Sequence, residues 1–215
     1  MPALEIKNIA KSFGARRILD GTSFCAEPGS AIAVLGASGC GKTTFLRIIA
    51  GLDHADAGEV RIGERLASSP NVIVPPELRG VGMVFQDLAL WPHMRAWRHL
   101  EFVLRGRGKG RGDRKQAAHE LLTRLGLEHR ANAYPSEMSG GEQQRLAFAR
   151  ALITEPALLL LDEPFSNLNA ELRETLLSEI DRQMRERNVV VLIATHDADE
   201  VSRITASDVR LPSPL

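Results

Sequence analysis

An α/β fold is predicted for this 215-residue chain: a parallel sheet, an N-terminal antiparallel β subdomain and a helical segment inserted in the middle. Three observations carry the prediction. The runs Ala31–Leu35, Leu158–Leu161 and Val189–Ile193 are apolar throughout, as strands covered on both faces are. Between the last two, Leu172, Leu176, Ile180 and Met184 recur every four residues among charged neighbours, the pattern of a crossover helix. From about residue 87 to 150, helix-favouring residues dominate and buried-strand runs are absent. The chain then reads as one domain, with 1–86 and 151–215 forming the core and 87–150 a helical subdomain.

The elements follow in order. Leu4–Ile9 alternates apolar and polar residues as a half-buried strand does, and Ser23–Ala26 is a second strand closing in the turn Glu27-Pro28-Gly29. Thr44–Ala50 continues as a helix that Gly51 ends. Inside the helical segment, Arg105–Gly112 alternates glycine with basic residues. It is short and lacks interleaved aromatics, so it reads as a solvated loop between helices rather than an RNA-binding tract.

Lys plus Arg and Asp plus Glu both number 27, which removes any electrostatic reason for bulk binding to nucleic acid or anionic lipid. Two cysteines, Cys25 and Cys40, are too few for a disulfide framework and suit a reducing compartment. The start, Met1-Pro2-Ala3-Leu4-Glu5, has neither a basic leader nor an apolar signal core. Every apolar run is shorter than the ~20 residues that span a bilayer, so work at a membrane would need spans from another chain.

Gly36-Ala37-Ser38-Gly39-Cys40-Gly41-Lys42-Thr43 directly follows the apolar run Ala31–Leu35 and satisfies G-x-x-x-x-G-K-[ST]. Glycines let a backbone wrap phosphates, where N–H groups and a helix N-terminus meet negative charge. Lys42 is placed to reach the β- and γ-phosphates, with Thr43 offering its hydroxyl to Mg²⁺ and Thr44 opening the helix. Cys40 suits the tight loop by its small size. A second site stands at Leu158-Leu159-Leu160-Leu161-Asp162-Glu163. Two carboxylates at the end of a buried strand lie where ligands of open α/β sheets bind. Asp162 suits Mg²⁺, and Glu163 suits the general base toward an attacking water. Together these specify a P-loop nucleotidase core.

Ser139-Gly140-Gly141-Glu142-Gln143-Gln144-Arg145, shortly before the acidic strand, closely resembles the signature of ATP-binding-cassette ATPases. The likeness continues through Arg150-Ala151-Leu152 and Asp162-Glu163-Pro164. It implies that Phe13 stacks on adenine, that Gln86 joins the active site and its Mg²⁺ to a transmembrane partner, and that His196 contacts the γ-phosphate. A Ser-Gly-Gly turn at a helix N-terminus is itself an anion site, and in the family it meets the ATP held by the opposite subunit. The resemblance therefore implies an ATP hydrolase that closes head to tail with a second copy or a related cassette. Its other expected partners are a transmembrane permease and a solute-binding protein, with no nucleic acid. The expected location is cytoplasmic, on the inner face of the membrane. The stretch Gln86–Met94, with apolar Leu88, Leu90, Trp91 and Met94, is the expected docking segment.

Three residues depart from the family pattern: Met138 for Leu, Phe13 for Tyr, and Asn169 for the Asp of the dimer contact, within Ser166-Asn167-Leu168-Asn169. The chain also ends soon after Ser207–Arg210, so no regulatory domain is expected. A cassette ATPase of the cell-division or lipoprotein-release type is the alternative; a small-molecule kinase would not need the signature.

Overall fold

The computed structural model describes residues 3–108, 110–166, 168–205 and 207–211. Met1 and Pro2 of the N-terminal reading, Lys109 of the Gly/basic repeat and Asn167 lie outside them.

Two sheets form. The first is antiparallel and consists of β1 (Leu4–Phe13), β2 (Arg16–Ala26), β4 (Ala57–Ile62), β5 (Arg65–Ser69) and β6 (Val72–Ile73), in the order β2-β1-β4-β5-β6. The second consists of β3 (Ala31–Leu35), β7 (Val81–Val84), β8 (Leu158–Asp162), β9 (Val190–Thr195) and β10 (Ser207–Arg210). Its order is β10-β3-β9-β8-β7, and all its pairings are parallel.

The apolar runs are strands of this second sheet, buried on both faces as expected. Alternate side chains feed two separate cores. Ala31, Ala33, Leu35, Leu159, Leu161, Val191 and Ile193 join one, shared with the helices on that face. Ile32, Val34, Leu158, Leu160, Val190 and Leu192 join the other, shared with the antiparallel sheet and helix α1 (Lys42–Ala50).

The central segment is helical, with α2 (Ala96–Val103), α3 (Arg111–Arg124) and α4 (Gly140–Leu152), which runs two residues past the expected boundary at 150. The Gly/basic loop is shorter than read. Arg105–Arg107 makes a 3₁₀ turn, and α3 takes in Arg111 and Gly112. The expected crossover is α5 (Ala170–Arg187), which buries Leu176 and Ile180 and half-buries Leu172 and Met184. Among the described residues, no helix is long and apolar enough to cross a membrane.

Candidate functional site

The phosphate loop leaves the end of β3 and enters α1. Gly41 is the N-cap residue at φ 100°, in the left-handed region that favours glycine, and no side chain caps the helix. A Cβ there would come within 2.5 Å of Ile18 Cγ2, so β2 and the loop touch. The uncapped N–H groups of the first turn remain available to an anion. Cys40 is fully buried beneath the loop, against the core that α1 shares. Its size is what the packing uses, since a Cβ on Gly36 would meet its sulfur at 2.4 Å.

A cleft of about 220 Å³ opens above the loop. It is lined by Phe13, Ile18, Ser38, Gly39, Gly41, Lys42, Thr43, Thr44, Gln86, Asp162 and Glu163. The structure thus brings the phosphate loop, the acidic strand end, Phe13 and Gln86 to one place. Phe13, at the tip of the β1–β2 hairpin, is 54% exposed, with Lys11 Nζ 5.3 Å from its ring centre. Lys42 Nζ donates to the carbonyls of Gly36 (2.8 Å) and Ala37 (3.2 Å) and lies 3.7 Å from Glu163 Oε1. Ile18 was missed in the sequence, because β2 was read only from Ser23.

Asp162 is 1% exposed. Its Oδ2 accepts from Thr43 Oγ1 at 2.7 Å, and its Oδ1 has no hydrogen-bond partner among the described residues. Burial pushes its pKa up, with Glu163 beside it adding to the rise against the opposing hydroxyl of Thr43 and the charge of Lys42. A buried carboxylate oxygen with no donor, beside a hydroxyl, is the donor set that fits a hard divalent cation shared with phosphates. Gln86, exposed on the same cleft, adds an amide oxygen.

Glu163 has φ 49°, an uncommon value for a residue with a Cβ. Its N–H donates to Ala194 O at 2.9 Å, and Ser166 Oγ donates to its carbonyl at 3.1 Å. Such conformations cost on the order of 1–3 kcal/mol and concentrate at functional sites. His196 Nδ1 lies 3.1 Å from Glu163 Oε2. With Gly36 and Ala37, His196 lines a depression adjoining the loop.

The signature residues stand apart, since Ser139, Gly140 and Gly141 are not among those lining the cleft. Ser139 caps α4 in a reciprocal pair: Glu142 N–H donates to Ser139 Oγ (3.3 Å), and Ser139 N–H donates to Glu142 Oε2 (2.8 Å). A Cβ on Gly141 would meet Leu172 Cδ1 at 2.8 Å, which is a packing reason for that glycine. A Cβ on Gly140 would meet nothing within 4 Å, and Ser139 and Gly140 are exposed. Met138 fills the core where the family has Leu.

Residues 19–166 match the family described as ABC transporter. The chain belongs to that family. It is similar to the Fe(3+) ions import ATP-binding protein FbpC of Haemophilus influenzae (strain 86-028NP), 40% identical over 203 residues. It is also similar to the glucose import ATP-binding protein GlcV of Saccharolobus solfataricus, 41% identical over 207 residues. These alignments cover 94% and 95% of this chain but 58% and 59% of the relatives, so the chain spans less than two thirds of their length. Among solved structures it resembles the dimeric post-hydrolysis state of the ATP-binding cassette MJ0796 bound to ADP and Pi. The TM-score is 0.86 at 30% identity, over 97% of this chain and 94% of that one.

Proposed function

We propose that this ABC-family chain binds and hydrolyses ATP and so powers solute transport through a membrane permease. The observation that carries the reading is the single cleft in which the phosphate loop, the orphaned Asp162 Oδ1 and the strained Glu163 converge. Backbone N–H groups of Gly36–Thr44 cradle the phosphates, Lys42 exchanges the carbonyls of its own loop for phosphate oxygens, and Phe13 offers a face to the base. Thr43, Asp162 and Gln86 would hold Mg²⁺, which supplies neutralisation of phosphate charge when bound. Glu163 takes the proton of the attacking water, and His196, beside its carboxylate, is assigned the γ-phosphate contact.

Ser139 and Gly140 lie exposed outside the cleft. Two cassettes placed head to tail supply each cleft with the other's signature. We assign residues 87–150 to the helical signature subdomain and the remainder to the core. Between them runs an apolar groove of about 360 Å³ whose lining includes Leu52, Met83, Phe85, Ala89, Trp91 and Val103. Leu88 and Leu90 pack against the core, while Ala89 and Trp91 are the residues of Gln86–Met94 that line this groove, and we assign them to the permease surface. A transport role is favoured over a cell-division or lipoprotein-release ATPase because the relatives carry import in their names. Those names include an iron ion and a sugar at nearly equal identity, so the solute is set by partner chains, a solute-binding protein among them. The location that follows is the cytoplasmic face of the membrane.

The test is Glu163→Gln. ATP binding is expected to persist while turnover falls by roughly 10²–10⁴-fold, the usual cost of losing a general base. Steady-state hydrolysis equal to the parent's would sink the assignment.

A further inference from the structure

The fold buries a cation that the cleft does not use. Arg150, near the C-terminal end of α4, is 8% exposed. Its guanidinium donates to the carbonyl oxygens of Leu88 (2.8 Å) and Ala89, and it lies over the Trp91 ring, 5.2 Å from its centre. Leu88 and Ala89 have φ of 60° and 44°, two consecutive left-handed residues with no glycine to make that easy. Such a turn persists only where its surroundings over-determine it. A planar donor fork aimed at both carbonyls does this, and an ammonium could not match that geometry.

The turn has an address at each end. It begins two residues after Gln86, which lines the cleft, and Leu88 N–H closes it onto Phe85 O at 2.9 Å. At its far end Trp91 N–H donates to His99 Nε2 at 3.0 Å, and His99 Nδ1 lies 3.0 Å from Arg95 O. The turn is therefore clamped between α4 and α2. Helix α4 is the element that starts at Gly140, directly after the exposed Ser139.

We propose that Arg150 is the positioning residue for Gln86: its fork fixes the 88–89 turn, which sets where Gln86 stands in the cleft and ties that position to the signature helix. Displacement of the Ser139 end of α4 then reaches Gln86 through the Arg150 side chain. The activity arm of the test rests on the ATPase reading; the spectroscopic arm does not.

The chain holds two tryptophans, Trp91 and Trp97, so Trp97→Phe leaves Trp91 as the sole reporter. In that background Arg150→Lys keeps the cation and removes the fork. The expected result is a red-shifted Trp91 emission, with kcat falling by up to roughly 10²-fold as for other misplacements of a positioned group. The KM for ATP should stay within about twofold, because the phosphate loop is untouched. The loss should vanish when Gln86→Ala is already present, since Arg150 acts through that residue. Unchanged Trp91 emission, or kcat losses from Arg150→Lys and Gln86→Ala that simply multiply, overturns the proposal. Arg150→Gln provides a second variant; if neither keeps a cooperative thermal transition, Arg150 is a core residue and the proposal falls. A parent without turnover defeats the ATPase reading instead, and the emission shift alone then decides Arg150.

Discussion

Asn169 stands where the family has an aspartate, a change that removes a charge from an expected dimer contact. The structure gives the residue a job within its own chain. Its side-chain oxygen accepts from Leu172 N–H at 2.9 Å and so caps α5. Asn and Asp are about equally good N-caps, so an aspartate at this position would cap α5 as well. Asn169→Ala is expected to cost ~1 kcal/mol, which for a chain of this size lowers the melting temperature by about 2–4 °C. Asn169→Asp should leave it within about 1 °C. Calorimetry on the two variants checks this, and equal losses in both would remove the capping account. The asparagine was visible as a departure, yet its cap could not be read without knowing that α5 starts at Ala170. Likewise Phe13, Gln86 and His196 were expected from the family resemblance, whereas the contact of His196 with Glu163 needed β8 and β9 side by side.

Elements with uniform environments were the readable ones. β3, β8 and β9 are buried on both faces, and α5 keeps a single apolar stripe, so burial wrote itself into their composition. β1 was traced only to Ile9 because its register shifts between Ile6 and Ile9, and again before Lys11 and Ser12, which breaks the period-two alternation. β4 to β6 left no apolar run: Val60 is the one buried residue of β4, and β5 buries Ala67 and Ser68. α4 was visible through its signature and carries the clearest pH dependence. Burial alone would raise the pKa of Glu142, but the Ser139 N–H and the Arg130 guanidinium outweigh it and hold the carboxyl down to about 2. A carboxyl whose pKa is depressed on folding contributes stability that is complete above its unfolded value near 4.5. That contribution is lost as the pH falls from there toward 2. Glu142→Gln should therefore melt lower than the parent at pH 7 and lose less than the parent does between pH 4.5 and 2. Parallel melting-temperature profiles across that window would contradict the assignment.

At the scale of the whole molecule, the cleft and the signature turn stand on different elements. The cleft holds the phosphate loop and both carboxylates, while the signature turn sits exposed on another element and contributes nothing to the lining. Gly140 sharpens the point. Its φ is not in the left-handed region, and a Cβ there meets nothing within 4 Å, so among the described residues neither backbone nor packing demands glycine. Glycine at that position would suit a surface that the second cassette of the proposed pair approaches closely, with the anion bridging to the uncapped α1 N-terminus. Gly140→Arg is therefore expected to leave the melting temperature of the monomer nearly unchanged, within the roughly 0.5 kcal/mol typical of surface substitutions. In the Glu163→Gln background, Mg²⁺ and ATP should drive the parent chain from monomer to dimer, because the bridging phosphate is retained rather than hydrolysed. Adding Gly140→Arg should abolish that shift, as a long side chain would occupy the space of the opposite subunit's phosphate. Light scattering with and without nucleotide reads both states directly. A dimer that forms equally well with arginine at 140 would place the contact surface elsewhere. A chain that stays monomeric even as Glu163→Gln would remove the head-to-tail sandwich and leave Gly140 without a physical account.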